Sequence, residues 1–448
     1  MRRAVLVAVG CALVAGLVVA FALDGGGDDR AAAPAIPTTA TPPDTVRSAP
    51  KQPPAPPPAR PKRAKLQLKT GLSELNANLL WSTEARPQAA PGFGPWRDRV
   101  QAMRPDFYRL FVDWSKLQPD PAKPADLEIG ADGCLRGKPP CAPFGGFREI
   151  FEAVASQQRA GRGFEVVMVL YGVPDWAASP AGGCERSTAQ PRNRPISDRG
   201  LRGYRALVAQ LLALAGSKGV ALRYWSPWNE PNHPTFISPQ RAICKKGAPA
   251  LSPAVYARLV RALRAELRRA PGRHDLVLGD LAGFPGARRN GASITQFVRG
   301  LPDDVACAGA VWAQHQYAQP DDPPGDKGVV GELERVLRTR ACTKNAKIWI
   351  TETGTGGARS GRSRSRSPAS LRRGCRAQAA AMRRWARDPQ VEAAFQYTYR
   401  EDEAFPVGLA DQRLTQSYPT YGLWLDLGNN RGVNRARCRA SATAAGTQ

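Results

Sequence analysis

Glu230 and Glu352 are the residues whose neighbours most constrain what they could do. Glu230 lies in Trp225-Ser226-Pro227-Trp228-Asn229-Glu230-Pro231-Asn232, and Glu352 in Ile348-Trp349-Ile350-Thr351-Glu352-Thr353-Gly354. Each stands where a short run of β-branched and aromatic residues gives way to proline or glycine, the pattern of a strand reaching its end. Two carboxyl groups facing one another can attack and protonate across a single bond. Cleavage of a glycosidic bond asks for such a pair: one carboxyl group protonates the leaving oxygen while the other, ionised and about 5 Å away, attacks the anomeric carbon. Their surroundings must push the two pKa values apart. An Asn-Glu-Pro tripeptide alone is an ordinary turn or helix start, so the chemistry depends on what brings the two glutamates together.

From Leu66 onward, β-rich runs alternate with longer amphipathic ones, which predicts parallel strands joined by crossover helices. The expected strands are Leu66–Gly71, Tyr108–Val112, Phe164–Tyr171, Leu222–Trp228, Leu276–Asp280, Gly309–Tyr317, Lys347–Thr351 and Ala393–Tyr399. Between them, Phe147-Ile150-Phe151-Val154, Tyr204-Leu207-Val208-Leu211 and Tyr256-Leu259-Val260-Leu263 keep the spacing of a helix with one apolar face. Ser252-Pro253 reads as the cap and first turn of one of these helices. Eight strands alternating with helices predict an α/β fold of the closed (β/α)8 TIM-barrel type. An open doubly wound sheet is the alternative, but no Gly-rich phosphate loop follows the first strand. In a closed barrel the C-terminal ends of all strands share one mouth. Glu230 at the end of strand four and Glu352 at the end of strand seven can then meet.

With Asn-Glu-Pro ending strand four and a lone glutamate ending strand seven, the stretch from Leu66 to Leu427 resembles clan A of the glycoside hydrolases, the superfamily of cellulase-like family 5 and of the xylosidases and iduronidases of family 39. The resemblance implies that Glu230 is the general acid/base and Glu352 the nucleophile of a retaining glycosidase. Asn229 would then hydrogen-bond the sugar 2-hydroxyl. Arg109, in Tyr108-Arg109-Leu110-Phe111, would hold a carboxylate ionised. His315-Gln316-Tyr317 resembles the clan's His-x-Tyr, in which the tyrosine hydroxyl approaches the nucleophile. Tyr171-Gly172-Val173-Pro174-Asp175-Trp176 resembles a loop that offers sugars an aromatic wall. Trp176 and Trp228 are thus candidate sugar platforms, though each reads equally well as core. Tyr399 and Arg400, after strand eight, are expected near the mouth. In one respect the sequence departs from the clan: Phe395-Gln396-Tyr397-Thr398-Tyr399 has no tryptophan where many members place one beneath the sugar.

The ends of the chain speak to location. Met1-Arg2-Arg3 precedes an apolar run from Ala4 to Leu23, so residues 1–23 read as a signal peptide or a membrane anchor. Ala20-Phe21-Ala22 suits cleavage, and the length of the run suits a span. Residues 24–65 are a Pro-rich linker without core-forming residues, 66–439 the barrel, and 440–448 a tail. Cys11 lies within the apolar run. The other eight cysteines are an even set without a C-x-x-C pair, which points to disulfides in an exported chain rather than to structural zinc. Cys134 and Cys141 share one loop. Cys184 and Cys244 follow strands three and four, and Cys307 and Cys342 precede strands six and seven. Cys375 and Cys438 pair by elimination.

The chain carries a net charge of +26, and its first 63 residues hold only eight Lys/Arg against four Asp/Glu. The excess therefore belongs to the folded part, either as a solvated surface or as affinity for an anionic envelope glycan. An Arg/Ser-rich stretch from Gly354 to Gly374 is a candidate cationic lip beside Glu352. Nucleic acid is excluded as a partner by the absence of a binding motif and of interleaved aromatics. Three histidines without H-E-x-x-H argue against a metal hydrolase, and no cofactor is expected. The competing reading is a catalytically inactive carbohydrate-binding barrel protein of the cell envelope. A monomer is expected.

Overall fold

A computed structural model describes residues 67–284, 286–319, 327–355, 365–402 and 405–439. The expected N-terminal segment, the linker and the tail lie outside the described residues, as do residues 356–364 of the Arg/Ser-rich stretch. Among the described residues no helix is long and apolar enough to cross a membrane.

Eight parallel strands close into a barrel in sequence order: β1 (Lys69–Ser73), β2 (Phe107–Asp113), β3 (Glu165–Tyr171), β4 (Tyr224–Ser226), β5 (Asp275–Leu281), β6 (Val311–His315), β7 (Lys347–Thr353) and β8 (Val391–Tyr397). β8 returns to pair with β1, Gly71 lying opposite Phe395. A helix follows each strand, among them Gly146–Arg159, Asp198–Ser217, Ser252–Leu267 and Pro368–Trp385. The fold is the (β/α)8 barrel that the alternation predicts. β4 is shorter than expected because Pro227 lacks the N–H that would continue the ladder. Ser252 begins its helix, but its hydroxyl donates to Gln240 Oε1 (2.9 Å) instead of capping; Pro253 occupies the first turn.

The strands are apolar along nearly their whole length because both faces are buried. On β3, Val166, Met168 and Leu170 pack outward against the helices. Val167 and Val169 point inward and join Phe107, Tyr224, Trp349 and Phe395 in a separate interior cluster. Phe107 lies 4.6 Å from Trp349 and 5.4 Å from Phe395, ring to ring. Gly71 makes room for this plug: a Cβ there would come within 2.1 Å of the Phe395 ring. The barrel interior is packed with side chains, and polar residues gather above them at the C-terminal strand ends.

Among the described residues four disulfides join Cys134–Cys141, Cys184–Cys244, Cys307–Cys342 and Cys375–Cys438, the pairs expected from a shared loop, from strand order for the middle two, and by elimination. The first closes a hairpin at the cavity rim. The second ties the loops after β3 and β4.

Candidate active site

Glu230 and Glu352 meet at the C-terminal mouth. An oxygen of each, together with a ring nitrogen of His315, lies within 4.8 Å of the others. Arg109 on β2 is fully buried beneath them. Its Nη1 donates to Glu352 Oε1 (2.7 Å), and its Nη2 donates to Asn229 Oδ1 (2.9 Å) and Asp280 Oδ2 (2.8 Å). The Tyr317 hydroxyl donates to the other Glu352 oxygen at 2.5 Å. Glu352 is thus held on both oxygens, by a guanidinium and by a phenol. Burial, then the neighbouring charge of Glu352, keep Tyr317 protonated well above its ordinary pKa. Because Arg109 takes the carbonyl end of Asn229, the amide NH2 is the end of that side chain available to a ligand.

His315 ends β6 between three carboxyl groups. Its Nδ1 is 2.8 Å from Glu230 Oε1 and 3.5 Å from Glu352 Oε2, and its Nε2 is 3.1 Å from Asp280 Oδ1. Burial disfavours a charged ring, but Glu352, Asp280 and Glu230 together push its pKa up to about 10. Burial would raise the Glu230 carboxyl; the hydrogen bond and charge of His315 outweigh it and leave Glu230 below its ordinary value. Burial likewise opposes ionisation of Asp280, yet Arg109 and His315 hold it far below the usual carboxylate range. The donor atoms of Glu230, His315 and Glu352 are close enough to surround a cation. Both Glu352 oxygens and both ring nitrogens are, however, already engaged with protein partners, so protons and Arg109 knit the cluster together.

The backbone here is strained. Glu230 (φ +39°) and Asp280 (φ +53°) are non-glycine residues in the left-handed region, and the Glu230 N–H donates to the Asp280 carbonyl at 3.0 Å. Each such residue costs about 1–2 kcal/mol, which the surrounding hydrogen bonds must offset.

A cavity of about 490 Å³ opens above the pair. Asn229, Glu230, Tyr317 and Glu352 line it, whereas Arg109 and His315 act from below. Of the expected aromatics, Trp228 is 1% exposed and donates Nε1 to the Phe236 carbonyl. Trp176 donates to the Gln118 carbonyl and packs edge-on against Trp114. Tyr399 is fully buried. None of the three lines the cavity; its aromatic walls are Phe111, Tyr171, Phe236, Tyr397 and Phe405. Tyr397 reaches the cavity for a simple reason: Phe395 points inward, so Tyr397, two residues on, does too, and the strand ends before Tyr399. Arg400 does line the cavity, but its guanidinium donates to the carbonyls of Gln412, Gly133, Pro140 and Lys138, fastening the Cys134–Cys141 hairpin to the end of β8.

Asp280 is the site residue that sequence reasoning missed. The sequence does hold a signal, a lone acid ending the apolar run Leu276-Val277-Leu278-Gly279, where a charge requires partners. Within the Arg/Ser-rich stretch, Arg366 serves the fold, pairing with the buried Glu401 at 2.9 Å.

No protein-family model matches the chain, and no curated protein matches it in sequence. Among solved structures it is similar to a glucosidase from Croceicoccus marinus, with a TM-score of 0.50 and 13% identity over 82% of this chain and 68% of that one. It is also similar to a GH5_18 protein from Bifidobacterium longum subsp. longum in complex with Manb1-4GlcNAc, with a TM-score of 0.48 and 14% identity over 81% and 78% of the two chains. A GH5_18 protein from Streptomyces cattleya in complex with GlcNAc aligns with a TM-score of 0.46 and 15% identity over 82% and 80%. At these identities the likeness is one of fold.

Proposed function

We propose that the chain is a retaining glycoside hydrolase acting on an oligo- or polysaccharide, with Glu352 as nucleophile and Glu230 as general acid/base. The observation that carries this reading is the approach of the two carboxyl groups to within 4.8 Å in a cavity walled by aromatic rings. That spacing suits direct attack by one carboxylate and leaves no room for an intervening water, which an inverting enzyme needs. Aromatic faces suit the apolar faces of a sugar ring, and the Asn229 amide and both glutamates suit its hydroxyl groups.

In the first step the Glu352 carboxylate attacks the anomeric carbon while Glu230 gives its proton to the departing oxygen. In the second, Glu230 takes a proton from water as the oxygen of that water displaces Glu352. Arg109 donates to one oxygen of Glu352 and Tyr317 to the other, which fixes the carboxylate for attack. Four disulfides fit an exported chain. We place the enzyme outside the cytoplasm, secreted or held at the envelope by residues 1–23. A panel of aryl glycosides, with the first-formed anomer read by NMR, tests the reading. Hydrolysis with retained configuration is the expected result. An inverted product removes the nucleophile assignment, and inactivity on the whole panel favours the inactive binding protein.

A further inference from the structure

Asp280 gathers more side-chain partners than either Glu230 or Glu352. Its side chain is fully buried. Oδ2 accepts from Arg109 Nη2 (2.8 Å) and Ser226 Oγ (3.0 Å), while Oδ1 accepts from Thr351 Oγ1 and faces His315 Nε2 (3.1 Å). Four strands, β2, β4, β6 and β7, thus converge on one carboxylate that β5 supplies. Its carbonyl also receives the Glu230 N–H, so Asp280 touches the acid/base through the main chain and, through His315, from the side. It lines no part of the cavity, so the two-step reaction gives it no direct part.

We propose that Asp280 is a positioning residue for Glu230: bridging Arg109 and His315, it holds the imidazole doubly protonated, with Nδ1–H directed at Glu230 Oε1. The inference rests on the assignment of Glu230 as the general acid. Geometry supports it. Asp280 reaches both cationic side chains of the cluster from below, accepting from Arg109 Nη2 and facing His315 Nε2, while His315 Nδ1 is left to face Glu230. Without Asp280 the ring would lose the carboxylate on Nε2 and keep Arg109 at 3.4 Å from that nitrogen, which weakens its charged form. Tyr317 and Tyr256 stay neutral, and His233, the other ring near Glu230, has its pKa lowered by burial. His315 is then the one histidine charge acting on Glu230 at neutral pH, and it makes Glu230 a stronger acid.

Two measurements test this on the full-length chain. The first follows the ring nitrogens by 15N NMR, which needs only three histidines to be assigned. His315 is expected to be doubly protonated at pH 7 in the wild type and neutral in Asp280→Asn. The second is the pH profile of kcat/KM on a glycoside with a poor leaving group. Asp280→Asn removes a negative charge from near Glu230, which alone would lower the Glu230 pKa. It also discharges His315, the closer group, which raises that pKa by more. The basic limb should therefore move upward by about one pH unit or more. His315→Gln should move the limb the same way, with Asp280→Asn adding nothing further. A neutral His315 in the wild type overturns the proposal and needs no variant to fold. A His315 still charged in Asp280→Asn, or an unmoved limb, overturns it as well. If the wild type hydrolyses no glycoside at all, the assignment of Glu230 fails, whereas the nitrogen shifts still report whether Asp280 holds His315 charged.

Discussion

Tyr317 and Arg109 hold opposite oxygens of the same carboxylate, the tyrosine on Glu352 Oε2 at 2.5 Å and the arginine on Oε1 at 2.7 Å. Tyr317→Phe removes a hydrogen bond to a charged group, which stabilises by about 1.5–3 kcal/mol. We expect kcat to fall about ten- to a hundredfold with KM little changed. Steady-state kinetics on an activated aryl glycoside checks this, and a change confined to KM would speak against contact with the nucleophile.

The two glutamates should separate by chemical rescue. Glu352→Ala should lose turnover on every substrate, and azide should restore it with inverted configuration from the vacated position. Glu230→Ala should still form the glycosyl-enzyme from an activated substrate but hydrolyse it slowly. Azide needs no general base and should restore its turnover with retention. The reverse pattern would exchange the two roles.

Arg109→Met should cost about 3–5 kcal/mol of stability at neutral pH, because it strands Asp280 and Glu352 as buried charges. Asp280 has its pKa depressed by folding, so its contribution is complete above its unfolded value of about 3.9 and drains as pH falls. Arg109→Met should therefore lose its deficit relative to wild type as the medium becomes acidic. Denaturant melts of both proteins from pH 3 to 8 give the comparison; a deficit independent of pH would contradict the ion-pair account.

His315 titrates in the opposite sense. Its pKa is raised on folding to about 10, so the stability it adds is complete below the unfolded value of about 6.5 and fades as pH climbs toward 10. Wild type should lose stability over that window relative to His315→Gln. Melting temperatures taken at intervals from pH 6 to 10 would show parallel curves if the ring is neutral throughout.

Arg400→Ala should loosen the Cys134–Cys141 hairpin without touching either glutamate. We expect KM to rise severalfold while glycosyl-enzyme formation at saturating substrate keeps its rate. A fall in kcat alone would place Arg400 nearer the chemistry than its carbonyl contacts imply.

The barrel was legible because each strand is buried on both sides, so runs such as Val166-Val167-Met168-Val169-Leu170 stand out, and because helices keep a single apolar stripe. The convergence of Glu230, Glu352, His315 and Tyr317 was legible because they sit at or near the C-terminal strand ends, where position in the sequence maps onto the mouth; Arg109, the third residue of β2, stood out as a charge within a buried strand. The aromatics misled for the converse reason. Trp176 and Trp228 lie just beyond their strands, where loop geometry decides which way a ring turns, and both turn into packing. Phe236 and Phe405 reach the cavity from loops whose sequence gives no period to read. Asp280 was hidden by its burial: a single acid at the end of an apolar run looks like a boundary until its partners from β2, β4, β6 and β7 are seen together.

The packing of Phe107, Trp349 and Phe395 fills the barrel axis beneath the site, so the cavity opens at the C-terminal mouth. In the reaction we propose, the first product, the incoming water and the freed sugar would all share the rim that admits the substrate. Turnover would then be a queue, in which the freed sugar stands in the path of the next substrate until it leaves.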